Sequence, residues 1–339
     1  MSKSHMKKVG NVNQNVSNEN QQNRSVLNII QYFYQMQSIS MLFILIIMWV
    51  VLSLLSPYFF TVNNLFEITL QSAVIALIAA GESFVIFSGG IDLSVGSIFA
   101  FSAIVGGIAL QFTGSVIISL MASIGAGLFA GFCNGLAIIK LKIPPFVATL
   151  GMMGIARGLA LILCNGIPIY GLPQEYLWIG QGRIAGIVPV PTIIVIVLFT
   201  IMYFILRNTR FGRFTYAIGS NPEATRLSGV NVSSVTLGIF MICGMFAAIA
   251  AVIESARLGT MQPASGNGYE LLAIGSVFIG GASIYGGEGN IFASLIGALL
   301  VTTIRNGLNI LGVSAFYQYV VNGLIIIFAV AADQIRRKY

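Results

Sequence analysis

The sequence predicts an all-α, polytopic transmembrane helix bundle of about ten spans, some of them discontinuous, with both termini in the cytoplasm. Three observations carry that expectation. Of 339 residues, 57% are hydrophobic and only 8% charged, and mean hydropathy is +0.91, far outside the soluble range. Apolar runs near the ~20 residues needed to cross ~30 Å of hydrocarbon recur along the chain, without the short alternating segments of a β-barrel. Lysines and arginines fall at the ends of these runs in a one-sided pattern.

Residues 1 to about 24 are rich in asparagine and glutamine and include the only histidine, His5. Such a composition buries too little apolar surface to fold, so a disordered cytoplasmic tail is expected. The stretch to 38 mixes aromatics with amides, as an interfacial segment does. Because this polar tail precedes the first apolar run, that run reads as a retained anchor and not a cleavable signal peptide.

The transmembrane domain is expected over 39–335. Its candidate spans are 39–56, 65–88, 92–111, 115–139, 145–164, 189–206, 234–256, 271–285, 290–309 and 316–333. With the amino terminus inside, 13 of the 17 lysines and arginines face the cytoplasm, Arg183 and Arg257 face out, and Arg157 and Arg305 lie within spans. The opposite orientation inverts the bias. The net charge of +7 is thereby explained by topology without invoking nucleic acid. The eighth span is the weakest, being short and broken by glycine. This topology puts 165–188 and 257–270 on the outer face and the polar loop 207–233 inside.

That loop carries its own helix signals. Asn221 suits the N-cap, Pro222 the first helical position, Glu223 the positive end and Gly229 the exit. A helix of about two turns follows, too short to be stable alone. Either the membrane domain or a partner must hold it.

Two glycine-rich stretches interrupt the spans. In GGIDLSVGS, Gly89, Gly90, Asp92 and Ser94 fit either a broken helix whose freed amides Asp92 orders, or a tight cytoplasmic turn capped by Asp92. A related pattern, FIGGASIYGGEGNIFA, contains Gly280 and Gly281, and with FSGGIDLSVGSIFA it suggests two halves repeated in parallel. Glu82, Arg157, Glu254 and Arg305 are ionisable groups near or within spans, and each needs water, a partner or the bundle interior. Arg157 could pair with Glu82 or Glu254, while Glu254 and Arg305 are expected to snorkel outward. Gly127, Gly131 and Gly135, and Gly154 with Gly158, recur at four-residue spacing and read as helix-packing faces. Tyr170, Tyr176 and Trp178 in the outer loop suit a docking surface or an interfacial belt.

The absences exclude function classes. No GxxxxGK[ST] loop is present, so the chain carries no phosphate-binding loop of its own. No HExxH, CxxC or acidic cluster with metal-ligand spacing occurs, and no metal site is expected. Cys133, Cys164 and Cys243 lie in apolar segments and imply no disulfide framework.

GESFVIFSGGIDLSVGS, AIGSNPEATRLSGV, ARLGTMQPASGNGYE and NGLNILGV, in that order and spacing, resemble the membrane permease subunit of bacterial ABC importers for monosaccharides. The relevant branch is the ribose, galactose, xylose and allose type, within the branched-chain amino acid and sugar permease superfamily. The resemblance covers nearly everything after the polar tail. It implies a multi-pass protein of the bacterial cytoplasmic (inner) membrane, working as a homodimer or paired with a similar permease. An ABC ATPase below would use ATP and Mg, a sugar-binding protein would sit above, and this chain would bind no cofactor. The family's coupling helix falls on Asn221, Pro222, Glu223, Ala224, Thr225, Arg226, Leu227, Ser228 and Gly229, which names an ATPase groove as its support. Glu82, Gly89, Gly90, Asp92, Ser94, Gly280 and Gly281 are candidates for the translocation pathway or hinge. Thr225 and Glu82 depart from the family's usual residues.

The expected function is therefore ATP-driven import of a pentose or hexose such as ribose or allose, with no enzymatic chemistry in this chain. The carboxy-terminal half is most similar to allose- and ribose-type members. An ion-coupled secondary sugar transporter is the rival, for which Glu82 and Asp92 would be the intramembrane carboxylates. A membrane anchor for a peripheral enzyme is a third reading. The capped cytoplasmic helix separates them, because a secondary transporter has no need of it.

Overall fold

The structure is a computed structural model that describes residues 41–338. The tail expected at 1–38 lies outside the described residues. The chain forms helices α1 (Met41–Leu55), α2 (Val62–Phe87), α3 (Val95–Thr113), α4 (Val116–Lys140), α5 (Pro145–Leu163) and α6 (Gln174–Gln181). A two-residue hairpin of β1 (Arg183–Ile184) and β2 (Val188–Pro189) follows. Then come α7 (Val190–Asn208), α8 (Arg210–Ser220), α9 (Pro222–Leu227), α10 (Val232–Leu258), α11 (Tyr269–Ile279), α12 (Ile291–Ile310) and α13 (Ala315–Lys338). A helix stands at each of the ten expected spans, and α2, α3, α4, α5, α7, α10 and α12 are long and apolar enough to cross a membrane.

Burial follows sequence character. α2 and α10 are apolar on every side, carry small residues throughout, and are buried over most of their length. All-round hydrophobicity of this kind belongs to the centre of a bundle. α3, α4 and α12 pack around them, while α5 and α7 turn most of their surface outward. α1 docks on α12 through Met41, Leu45 and Leu300, and the Trp49 indole donates to Thr303 Oγ1 at 3.3 Å.

The expected glycine face of α4 is real. A Cβ at Gly131 would overlap the carbonyl oxygen of Phe240, so α4 and α10 meet backbone to backbone. The second glycine face behaves differently. Nothing lies within 4 Å of the Cβ positions at Gly154 and Gly158, so the α5 surface at these two glycines has no packing partner among the described residues.

Four sequence expectations need correction. Residues 259–268 are not simply an outer loop. Met261 lies against Gly107 and Gly266 against Gly96, so the segment runs beside α3 for eleven residues of helix, about 16 Å at 1.5 Å per residue. This descent explains the short eighth span: α11 has 11 residues and starts partway down the bundle. Arg157 pairs with neither Glu82 nor Glu254. Its guanidinium donates to the carbonyls of Pro263 (2.6 Å), Ser265 (2.8 Å) and Gly96 (3.3 Å), clamping the descending segment to α3.

Glu254 does not snorkel. It is buried, 3.2 Å from Arg257, and accepts the Tyr269 hydroxyl at 3.2 Å. Tyr176 belongs to neither a docking surface nor a belt. It is fully buried on α6 with its hydroxyl 3.0 Å from Ser255 Oγ, whereas Tyr170 and Trp178 are exposed.

Candidate functional site

α9 forms where the capping signals place it. Asn221 Oδ1 accepts the Ala224 amide at 2.9 Å, Pro222 opens the helix, and Gly229 leaves it at φ +83°. A positive φ there requires glycine, because other side chains meet the backbone in that region. Only Thr225 turns inward, bonding the Asn221 carbonyl through its hydroxyl at 2.8 Å. Its departure from the family's usual residue therefore lies off the exposed face. That face carries Glu223 and Arg226, paired through two hydrogen bonds of 2.6 and 3.0 Å, and Leu227, which is 74% exposed. Hydrogen bonding to Arg226, reinforced by its charge, holds the Glu223 carboxyl below the ordinary range and raises Arg226 correspondingly.

α8 leads into α9 and occupies part of the 207–233 stretch that the sequence reads as a polar loop. It caps on Thr209 and buries Thr215 and Ile218 while Phe211 packs under Gly238. Tyr216 stacks on Phe87 with centroids 5.3 Å apart, and its hydroxyl donates to the Gly289 carbonyl at 3.1 Å. At the end of α8, Gly219 touches both interruptions of the bundle. A Cβ there would overlap the Phe87 carbonyl oxygen and the Gly287 amide nitrogen.

The two glycine-rich stretches thus meet. Each joins two helices, α2 to α3 and α11 to α12, and the Gly287 amide donates to the Phe87 carbonyl at 2.9 Å. Gly89 and Gly281 both take positive φ, +82° and +81°. Gly280 is the C-cap of α11 and packs against the α12 backbone at Ala293, while the Gly90 amide bonds the Val85 carbonyl at 2.9 Å.

Asp92 is fully buried in the link between α2 and α3, where the chain folds back toward Glu82. Its Oδ1 accepts the Ser94 amide at 2.8 Å as well as the Ser94 hydroxyl. Its own amide donates to Glu82 Oε1 at 3.0 Å, and Asn134 Nδ2 reaches Ser94 Oγ at 2.8 Å and Asp92 Oδ2 at 3.5 Å. Cys243 Sγ donates to Glu82 Oε2 at 3.7 Å. Glu82 and Asp92 therefore lie together, supported by Asn134 and Cys243, whose roles the sequence did not announce. Neither carboxylate has an ion-pair partner among the described residues. No group of three or more His, Cys, Asp or Glu that could hold a metal occurs among them.

A helical bundle in which seven of the described helices are long and apolar enough to cross a membrane defines a multi-pass membrane protein. Residues 64–330 match the family described as branched-chain amino acid transport system / permease component, and the chain belongs to that family. It is 41% identical over 293 residues to the ribose import permease protein RbsC of Escherichia coli (strain K12), covering 85% of this chain and 91% of that protein. Identity to RbsC of Bacillus subtilis (strain 168) is 43% over 296 residues, 86% of this chain and 90% of the relative. The D-allose transport system permease protein AlsC of Escherichia coli (strain K12) is 40% identical over 298 residues, 87% and 91% of the two chains. No solved structure matches the chain. The protein is a transporter subunit and not an enzyme, a multi-pass component of the bacterial cytoplasmic (inner) membrane.

Proposed function

We propose that the chain is the permease subunit of an ATP-binding-cassette importer that translocates a monosaccharide, a pentose or hexose such as ribose or allose, handed over by an extracytoplasmic binding protein. The observation that carries this is the ~40% identity to ribose and allose permeases along nearly the whole length of both partners. That similarity supports ATP-driven import over an ion-coupled secondary transporter. Both termini and α9 then lie in the cytoplasm, and a second permease copy or sibling completes the pore.

In this reading α9 is the energy input. A helix of six residues is marginal alone, and its exposed Glu223, Arg226 and Leu227 present a charged pair beside an apolar knob to a groove on the ATPase. Movement of α9 is carried by α8 to the point where Gly219 abuts both Phe87 and Gly287. The α2–α3 and α11–α12 breaks would shift together there, tilting the helices they join. Coupling requires that the ATPase contacts differ between the two states, since a contact equal in both shifts nothing.

Reconstitution tests the reading. The chain is co-expressed with an ABC ATPase and a sugar-binding protein from the same operon, and sugar uptake into proteoliposomes is followed. Uptake that requires ATP and the loaded binding protein is expected. Uptake driven by an ion gradient without the ATPase would overturn the proposal.

A further inference from the structure

At the end of α10 remote from α9, about 40 Å away at 1.5 Å per residue, lies a cavity of about 210 Å³ between α2, α10, α11 and α12. Room for roughly seven waters at ~30 Å³ each is also room for one monosaccharide ring. Its wall is polar: Gln71, Glu254, Arg257, Tyr269, Thr302 and Arg305 all border it. Thr302 is buried with its hydroxyl unpartnered, and Arg305 makes no hydrogen bond or ion pair among the described residues. The Thr302 hydroxyl is closed off by protein, whereas the Arg305 guanidinium is partly exposed beside the cavity with five N–H donors, and an unpaired guanidinium there points to an occupant that accepts hydrogen bonds.

We propose that this cavity is a weak subsite for a neutral monosaccharide passing through the permease; the inference rests on the importer reading above. Charge selects the ligand class. Arg257 lies 3.2 Å from Glu254 and 3.4 Å from Glu67, so with Arg305 the four charges sum to zero. A net anion would face the Glu254 carboxylate, and an apolar ligand would strand the polar wall. Adjacent sugar hydroxyls both donate and accept, matching a guanidinium that only donates, a carboxylate that only accepts, and Gln71, which does both. Position agrees, because the cavity lies at the end of α10 remote from α9, toward the side where a binding protein would release its cargo.

Thiol protection on the full-length protein in lipid nanodiscs tests the site. A Gln71→Cys variant, at a partly exposed position of the cavity wall, is labelled with a small water-soluble methanethiosulfonate, with the wild type giving the background from Cys133, Cys164 and Cys243. D-ribose, D-allose, L-arabinose and inorganic phosphate are added singly at high millimolar concentration. At least one sugar is expected to slow labelling about fivefold, with no effect of phosphate. Equal labelling with every sugar, or protection by phosphate alone, overturns the subsite. If the cysteine variant does not fold, saturation-transfer NMR on the wild type decides: transfer to a sugar that Arg305→Leu abolishes supports the site, and no transfer refutes it. ATP-driven uptake by the wild-type importer is measured in parallel. Absent uptake of all three sugars removes the importer reading, whereas uptake without protection removes only the subsite.

Discussion

The carbonyl oxygen of Phe87 occupies the space that a side chain on Gly219 would need, and the same oxygen accepts the Gly287 amide at 2.9 Å. Three backbones therefore meet with no side chain between them: the ends of α2 and α8 and the link from α11 to α12. Gly219→Ala forces a methyl group against two of them, and neither can yield as a side-chain tip could. A loss of about 1–3 kcal/mol is expected from overpacking. It is read as a lower melting temperature of the detergent-solubilised protein. A melting temperature equal to that of Gly154→Ala, where space is open, would remove Gly219 from the proposed junction.

The two glycine faces should respond oppositely. Gly131→Leu drives a side chain into the Phe240 carbonyl across the α4–α10 contact, whereas at Gly158 nothing lies within 4 Å of the Cβ that Gly158→Leu adds. The first is expected to abolish folded protein, as judged by a monodisperse peak in detergent. The second should leave the monomer's stability within about 0.5 kcal/mol of wild type, as surface substitutions do. Comparable losses in both would mean that α5 is packed against something the single chain lacks.

Much of this fold is legible because membrane spans are written in long apolar runs, and α9 because Asn221, Pro222 and Gly229 are each specific to one helix position. α6 and α8 were not legible, since short helices owe their existence to tertiary contacts such as Tyr176 against Ser255 and Phe87 against Tyr216. The descent of residues 259–268 is concealed by its polar composition, which reads as solvent exposure. Arg157 is satisfied by backbone carbonyls, and these leave no mark in a sequence. The proximity of Glu82 and Asp92 follows from a chain reversal after α2, which the glycines permit without specifying. The polar cavity gathers Gln71, Thr302 and Arg305 from distant helices, so only packing reveals it.

Asp92 should act through its oxygen atoms. It accepts the Ser94 amide at 2.8 Å and also receives Asn134 at 3.5 Å, all in buried surroundings. Asp92→Ala leaves the Ser94 amide without an acceptor, at a cost of about 1–3 kcal/mol. Asp92→Asn keeps one carbonyl oxygen and should recover much of that loss. Thermal unfolding of both variants checks the order, and equal stability of the two would mean that the hydrogen bonds to Asp92 contribute nothing.

The exposed pair on α9 should matter for docking and not for folding. Glu223 and Arg226 are 65% and 62% exposed, a setting in which solvent screens an ion pair. Arg226→Glu and Leu227→Asp are therefore expected to leave the melting temperature of the isolated permease unchanged. Each should reduce ATPase co-purification about tenfold or more, as loss of an interface anchor does. The pH dependence follows from the depressed Glu223 value. A depressed carboxylate contributes above its unfolded value, about 4.3, and the contribution fades as pH falls through the still lower folded value. Co-purification should thus be flat between about pH 6 and 8 as far as this pair is concerned. Wild-type recovery of the ATPase by both variants would take α9 out of the coupling path.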